Sequence, residues 1–180
     1  MRVSRRVRRT IESRPMSDVT SENVGAQGYS WVDEVAGVDL AELSHLYCIA
    51  PLGDKPPDRL RKVFGNSMFA CFVYSADDLV GAGRVLADGL DCAYIADVAV
   101  HPGHQGNGLG AGIITRLIQR CRGHKKILLY ANPGTEDFYR RLGFLPMTTA
   151  MAIWHDTEIA IRSGLLDPRP TGYDERNPTR

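Results

Sequence analysis

A cluster of glycines precedes an apolar segment in the middle of the chain. The stretch HPGHQGNGLGAGI, residues 101–113, holds five glycines within thirteen residues, although glycine weakens helices. Backbone N–H groups in the first turn of a helix lack partners within the helix, and the helix dipole favours an anion there. Glycines let such a backbone approach a phosphate without obstruction by Cβ atoms. The stretch therefore predicts a phosphate-binding turn where a helix begins.

The spacing of these glycines separates three kinds of phosphate-binding loop. A Walker loop needs Lys-Ser or Lys-Thr after the glycines, and neither follows here. Residues 106–111, GNGLGA, fit a dinucleotide fingerprint, but that motif belongs at the first strand–helix turn of a parallel sheet, and here it lies halfway along the chain. The third pattern, Gln105-x-x-Gly108-x-Gly110, resembles the R/Q-x-x-G-x-G/A signature of the GNAT superfamily of N-acetyltransferases. In that family the loop holds the pyrophosphate of acetyl-CoA.

A second segment, further along the chain, resembles the same family. NPGTEDFYRRLGF, residues 132–144, is similar to the N-x-x-A-x-x-x-Y-x-x-x-G-F segment that follows the fifth strand in family members. Asn132 lies seven residues before Tyr139, as in many members, whereas Thr135 stands where alanine is usual. The segments RVLADG and DVAVHPGHQG also resemble the third and fourth strands of many bacterial members. The similarity extends over residues 29–156, so the chain resembles a GNAT N-acetyltransferase.

The resemblance implies where acetyl-CoA binds. In relatives the fourth and fifth strands splay apart, and pantetheine lies in the gap like an added strand. It is held there by main-chain groups of the fourth strand, and the pyrophosphate is held by the glycine loop. No metal is implied. The cofactor-binding residues expected by resemblance are Val98, Ala99, Val100, Gln105, Gly106, Asn107, Gly108, Leu109, Gly110, Asn132 and Phe138.

Acetyl transfer to an amine needs a proton for the departing thiolate and stabilisation of the tetrahedral oxyanion. We expect Tyr139 to be the proton donor, because a phenol with a pKa of about 10 stays protonated near neutral pH. A packing role on a short helix is the alternative for this tyrosine. A backbone N–H near Val98 is the expected partner of the oxyanion.

The general base is left open by the sequence. Asp97 is the only carboxylate in the apolar segment CAYIADVAV, residues 92–100, where an ionised group needs a partner or water. It is a candidate base, or equally a hydrogen-bonded aspartate that fixes strand geometry. In relatives the base often occupies the positions that are Tyr94 and Ala96 here. Tyr94 is therefore a second catalytic candidate, which would order a chain of water molecules.

The acceptor is less well defined than the cofactor. A small primary amine is expected, such as an arylalkylamine, a polyamine or an amino sugar. A protein lysine or N-terminus is the alternative, as is a non-catalytic acyl-CoA sensor or interaction module. His101 and His104 are expected to be surface residues of the loop. Candidate acceptor contacts are Trp31, Phe64, Asn66, Tyr74, Arg84 and Trp154.

Composition limits the class of protein. Residues 1–15 hold six of the arginines and one glutamate, so the rest of the 180-residue chain is mildly acidic and lacks the basic surface of a nucleic-acid-binding protein. No run approaches 18 apolar residues, which argues against a membrane span. The four cysteines are widely spaced, without a C-x-x-C pair, which indicates a reduced, cytoplasmic protein. We expect a monomer or homodimer.

The pattern along the chain predicts one domain, residues 28–156, between a disordered Arg-rich leader (1–27) and a disordered C-terminal extension (157–180). A first strand over YSWVDEV precedes two helices, LAELSHLY, capped by Asp39, and PPDRLRKVF. Three strands, SMFACFVYS, DLVGAGRVLAD and CAYIADVAV, then form an antiparallel meander with a turn at Asp88-Gly89.

A parallel unit is predicted to follow the meander. A helix over residues 107–122 leads through a right-handed crossover to the strand KILLYA. A short helix capped by Thr135 and a last strand, LPMTTAMAIWHD, complete the fold. The expected class is α/β (α+β), the GNAT fold: a mixed, mostly antiparallel sheet of six to seven strands with splayed parallel fourth and fifth strands, flanked by about four helices.

Overall fold

The computed structural model describes residues 28–168. The predicted leader, residues 1–27, and residues 169–180 of the predicted extension lie outside the described residues. The elements follow one another as β1 (Tyr29–Val32), α1 (Leu40–Ile49), α2 (Pro57–Gly65), β2 (Phe69–Ser75), β3 (Asp78–Ala87), β4 (Cys92–Val100), a short 3₁₀ turn (Pro102–His104), α3 (Leu109–Arg120), β5 (Lys126–Leu128), α4 (Glu136–Arg141) and α5 (Thr157–Arg162).

The strands form one mixed sheet in the order β1-β2-β3-β4-β5. The first four strands are antiparallel neighbours, and β5 runs parallel to β4 after the crossover through α3. This arrangement confirms the predicted fold class, with five strands in the described part of the chain rather than six to seven. Within residues 28–168, no helix is both long and apolar enough to cross a membrane.

The last predicted strand, LPMTTAMAIWHD, does not form. Residues 145–154 contain neither helix nor strand, and Leu145, Met151 and Ile153 are almost fully exposed. Pro146 has no N–H with which to bond a neighbouring strand. β5 itself is only three residues long, so it offers little edge for a further strand to pair with.

The sheet has a hydrophobic core on each face. On one face α3 buries Ile113 and Leu117 against β2, β3 and β4. On the other face α1 and α2 bury Leu43, Leu60 and Phe64. The amphipathic spacing of these helices places their apolar residues on one side each. β4 therefore lies between two packed layers, and its central residues are held in place from both sides.

A β-bulge interrupts β4 at its middle. The register between β3 and β4 shifts between Ala82 and Arg84, which leaves Asp97 and Val98 opposite the single Gly83. Asp97 has a φ of 53°, the left-handed conformation that β-bulges use to accommodate an extra residue. Beyond the bulge the alternation is shifted, so Val98 packs in the core on the α3 face. Asp97 faces the layer of α1 and α2, where its contacts lie.

Two helix predictions need correction. Helix α3 begins at Leu109 rather than at residue 107, because Gly108 takes the left-handed N-cap position. Residues 157–162, which the sequence places in a disordered extension, form helix α5 instead. The side chain of Asp156 accepts a hydrogen bond from the N–H of Ile159 (2.9 Å), and Ala160 is fully buried, so this helix has both a cap and a packed side.

Candidate active site

β4 and β5 separate after a short paired region. The pairing covers only Cys92–Tyr94 and Lys126–Leu128, so within residues 28–168 β4 continues to Val100 without a hydrogen-bonded strand on that side. The N–H of His101 donates to Val80 on β3 (2.8 Å). Since antiparallel ladder bonds alternate along a strand, the backbone polar groups of Val100 point to the open edge. The second half of β4 thus offers a strand edge to a ligand with amide groups.

The glycine loop follows directly after this open edge. Gly106 and Gly108 have φ values of 82° and 78°, which glycine adopts without the strain that a side chain would bring. A Cβ atom at either position would meet nothing within 4 Å, so the loop surface is open there. In α3 the N–H of Gly112 bonds to Gly108 (2.9 Å), and the N–H groups before it have no partner within the helix. The loop therefore presents free donors at a helix start, as an anion site requires.

Two predicted cofactor residues stabilise the loop with their side chains. Gln105 donates from Nε2 to the carbonyl of Val100 (3.2 Å). Asn107 donates from Nδ2 to the carbonyl of His104 (3.2 Å), whose ring nitrogen Nδ1 hydrogen-bonds the Tyr29 hydroxyl (2.9 Å). Because these side chains bond to protein groups, the backbone of the loop is what remains available to a ligand.

Helix α4 brings Phe138 and Tyr139 close to the start of α3. A Cβ atom on Gly110 would lie 3.6 Å from Cζ of Phe138. Tyr139 packs edge-on against Phe138 and Phe144, with ring centroids 5.0 and 6.1 Å apart. Both residues of α4 pack on the same core as Val98. Burial raises the pKa of the Tyr139 hydroxyl above its ordinary value, so this phenol keeps its proton at neutral pH and is able to donate it.

Asn132 lies in the turn between β5 and α4. It is exposed, and its carbonyl accepts hydrogen bonds from the N–H (3.0 Å) and the hydroxyl (2.7 Å) of Thr135. The prediction that Thr135 caps α4 is therefore right about the position and wrong about the hydrogen bond. Thr135 occupies the N-cap position, but its hydroxyl bonds back to Asn132 instead of capping the helix.

Asp97 is held in a cluster of charged side chains. One carboxylate oxygen accepts from Lys55, in the segment between α1 and α2, and the other accepts from Nε of Arg84 (2.5 Å). The Tyr47 hydroxyl donates to the carbonyl of Asp97 (3.0 Å). Burial opposes ionisation of Asp97, but the hydrogen bonds and charges of Lys55 and Arg84 outweigh it and lower its pKa. A carboxylate with a lowered pKa is a weak base, which favours the structural role that the sequence left open.

Lys55 was missed by sequence reasoning. It lies 42 residues before Asp97. The only sequence pattern in its segment that predicts structure is the Pro-Pro pair at the start of α2. Nothing in its spacing indicates a partner on β4, because the pair depends on how the α1–α2 layer packs over the sheet.

Tyr94 belongs to a group of aromatic rings where β4 and β5 separate. It stacks on Tyr130, with ring centroids 6.2 Å apart, and Trp154 meets Tyr130 edge-on at 5.5 Å. Burial, followed by the proximity of Tyr130 and Asp97, raises the pKa of Tyr94 well above its ordinary value. Tyr94 therefore stays neutral. Tyr130, in the segment predicted as the strand KILLYA, was not among the candidates.

The predicted acceptor contacts separate into two sets. Phe64 is buried in the core under α2, and Trp31 packs on the opposite core with its indole nitrogen buried. Tyr74 packs under α1, and Asn66 ends α2. Arg84 and Trp154, in contrast, lie near Asp97 and Tyr130 respectively. These last two are the candidates that the structure brings to the region of the gap.

Comparison with known proteins agrees with this geometry. Residues 38–144 match the model of the acetyltransferase (GNAT) family. The chain is 31% identical to an uncharacterized ycf52-like N-acetyltransferase of Prochlorococcus marinus, over 71% of this chain and 76% of that protein. It is 32% identical to the chloroplastic serotonin N-acetyltransferase 2 of Oryza sativa subsp. japonica, over 67% of this chain and 64% of that protein.

A solved structure shows the same fold. It is a probable acetyltransferase of unknown function from meticillin-resistant Staphylococcus aureus, with a TM-score of 0.65 and 22% sequence identity. The match covers 71% of this chain and 98% of that structure. Members of the family generally use acetyl-CoA as the acetyl donor. The splayed strands, the glycine loop at the start of α3 and the matched family model together show that the chain belongs to the GNAT acetyltransferases and is an acyltransferase.

Proposed function

We propose that the chain transfers the acetyl group of acetyl-CoA directly to the primary amine of a small molecule. The observation that carries this proposal is the continuity between the open edge of β4, which ends at Val100, and the glycine loop that opens α3. A single stretch of backbone thereby supplies a strand edge for pantetheine amides and a helix start for the pyrophosphate. No metal is part of the proposal.

The residues around the gap support a direct transfer. The amine nitrogen attacks the thioester carbonyl, the carbon–sulfur bond breaks, and the leaving thiolate takes a proton from the hydroxyl of Tyr139. The N–H of Val98, next to the bulge, stabilises the oxyanion of the tetrahedral intermediate. The attacking amine loses its own proton to water, which the neutral hydroxyl of Tyr94 orders. Asp97 acts by holding the bulge rather than by accepting the proton.

The aromatic group at the end of the paired region favours an acceptor with an aromatic part. Tyr94, Tyr130 and Trp154 form an edge-to-face and stacked set, and Tyr130 is half exposed. Aromatic rings favour such arrangements with one another, so a ligand ring is able to join the set. The rice relative is named a serotonin N-acetyltransferase, and serotonin is an arylalkylamine. Of the acceptors considered, an arylalkylamine-like molecule agrees best with these rings.

A thermal-shift titration followed by an acceptor panel tests the proposal. We expect acetyl-CoA to raise the melting temperature as its concentration exceeds the dissociation constant. Arylalkylamines, polyamines, amino sugars, a lysine peptide and peptides with free N-termini are then compared by acetylated product. Preference for the peptides would assign the chain to protein acetylation and overturn the small-molecule acceptor.

We also propose that the enzyme works in the cytoplasm. All four cysteines are free, and Cys71 and Cys121 are buried, which agrees with a reducing compartment. The rice relative is named as chloroplastic, so localisation of the full-length chain in its own cell is the measurement that decides this point.

A further inference from the structure

Helices α1 and α2 leave part of their face of the sheet uncovered. They bury Phe72, Ala82 and Ala99, which lie away from the start of β4. Side chains alternate along a strand, so Arg84 and Leu86 lie on the same face as Ala82. Leu86 is 37% exposed and pairs across the ladder with Tyr94. We call the uncovered surface formed by Leu86, Tyr94, Tyr130 and Trp154 the open face.

The charged cluster at one side of the open face has more positive than negative groups. Lys55 and Arg84 both pair with the single carboxylate of Asp97, so these three side chains together carry a net charge of +1. Arg84 is 11% exposed, and its Nη1 also lies 3.4 Å from the Ser67 hydroxyl. Lys55 is 27% exposed. The Lys55 ammonium is therefore the cation with more surface available to a ligand.

Asp97 is poorly suited to bind the ammonium form of an acceptor. Each of its two carboxylate oxygens already accepts a hydrogen bond from a cation, one from Lys55 and one from Arg84. An incoming ammonium would have to displace one of these groups and would also meet the excess positive charge. A carboxylate, in contrast, would meet the Lys55 ammonium, which donates to Asp97 and lies 4.9 Å from the ring centroid of Tyr47. An ammonium has three donors, so at least one is left for a ligand.

We propose that the preferred acceptor carries a carboxylate close to its amine, on a molecule with an aromatic or apolar side chain. The chemical class is a free α-amino acid with a large apolar side chain. Lys55 binds the carboxylate and the open face contacts the side chain. Asp97 directly precedes Val98, so a carboxylate at Lys55 keeps the neighbouring amine near the open edge of β4. This proposal names the substrate class of the proposed function and rests on it.

Matched acceptor pairs test the proposal. Phenylalanine is compared with phenethylamine, tryptophan with tryptamine and leucine with isoamylamine, so that the members of each pair differ in the carboxylate. The value of kcat/KM is measured for the wild type, Lys55→Gln, Lys55→Arg and Lys62→Gln. Lys62 is an exposed residue of α2 and serves as the matched control. The intrinsic reactivity of each amine cancels when the ratio within a pair is compared between variants.

We expect Lys55→Gln to lower the ratio of carboxylate-bearing to neutral acceptor about fivefold, the effect of a partly exposed ion pair. Lys55→Arg keeps the ratio near that of the wild type, and Lys62→Gln leaves it unchanged. Melting temperatures show that each variant is folded. An unchanged ratio in Lys55→Gln, with transfer still measurable, overturns the carboxylate proposal alone. Absence of transfer to every acceptor, although acetyl-CoA binds, contradicts the proposed function and this inference together.

Discussion

The pKa values of Tyr139 and Asp97 shift in opposite directions. Burial raises the pKa of Tyr139, so its phenol stays protonated at neutral pH. Burial also disfavours the charged form of Asp97, but Lys55 and Arg84 overcome this effect and lower its pKa. At neutral pH the first group is therefore an acid that is still protonated, and the second is a carboxylate that accepts protons poorly.

Tyr139→Phe tests the proton donor at the residue scale. The substitution removes the hydroxyl and keeps the packing against Phe138 and Phe144. Loss of a general acid lowers kcat by about 10²- to 10³-fold, while the shift in melting temperature with acetyl-CoA stays near that of the wild type. Phe144→Leu, which alters the same packing without removing a hydroxyl, is the control and costs far less activity. An unchanged kcat in Tyr139→Phe would remove Tyr139 from the mechanism.

At the scale of elements, the five strands of the sheet and helices α1 to α4 were predictable, whereas the last predicted strand did not form and helix α5 was not expected. The meander and α3 formed because their apolar residues are buried in the two cores of the sheet. The last predicted strand did not form because an alternating pattern also needs a neighbouring strand to pair with, and β5 is only three residues long. Helix α5 was not expected because it depends on the burial of Ala160 in the folded chain. The hydrogen bond of Thr135 was also not expected, because its hydroxyl donates to the nearby carbonyl of Asn132 instead of capping α4. The backbone geometry of the glycine loop was predictable because it depends on neighbouring residues, whereas the Lys55–Asp97 pair arises only from tertiary packing.

Gly83→Ala tests how closely α3 packs on the sheet beside the bulge. A Cβ atom there would lie 2.7 Å from Cγ2 of Ile113 and 3.1 Å from Leu117, and both neighbours are fully buried. We expect a loss of about 1–3 kcal/mol in the free energy of unfolding, measured by chemical denaturation. Gly65→Ala, at the end of α2 with open space around it, is the control and is neutral or slightly stabilising. Equal stability of the two variants would contradict the close packing.

Gly108→Ala tests the phosphate-binding role of the glycine loop. Gly108 and Gly37 both have positive φ, 78° and 88°, and open surroundings. Alanine at either position therefore lowers the free energy of unfolding by a similar amount, about 1–2 kcal/mol. Only Gly108→Ala places a Cβ atom at the start of α3, so only this variant loses most of the stabilisation by acetyl-CoA in a thermal-shift titration. If Gly37→Ala loses as much of the stabilisation by acetyl-CoA, the effect comes from backbone strain and not from the glycine loop.

At the scale of the whole molecule, ion pairs connect the layers on both faces of the sheet. Asp33, which follows β1, accepts from Arg116 Nε (2.6 Å) and pairs with Arg120 Nη1 (3.0 Å), both on α3. Lys55 connects the α1–α2 segment to β4 through Asp97. The bulged strand that borders the gap is thus fixed by charge as well as by its two cores.

These ion pairs predict how stability depends on pH. Burial opposes ionisation of Asp33, but hydrogen bonds and charges from Arg116 and Arg120 lower its pKa, as Lys55 and Arg84 do for Asp97. Their stabilisation is complete above the unfolded pKa of about 4 and is lost as pH falls through the lower folded values. We expect the melting temperature to fall below about pH 5. Asp33→Asn makes that fall shallower, and the control Asp54→Asn, at an exposed position, does not. Identical profiles for the wild type and Asp33→Asn would contradict this account.

The central claim is that the gap between β4 and β5 holds acetyl-CoA for direct transfer to an amine. The most direct measurement follows free thiol and acetylated amine together, with acetyl-CoA and the acceptor panel, by thiol reagent and mass spectrometry. We predict equal amounts of thiol and N-acetyl product, formed only when both substrates are present. Binding of acetyl-CoA without thiol release for any acceptor would contradict the claim and indicate an acyl-CoA sensor.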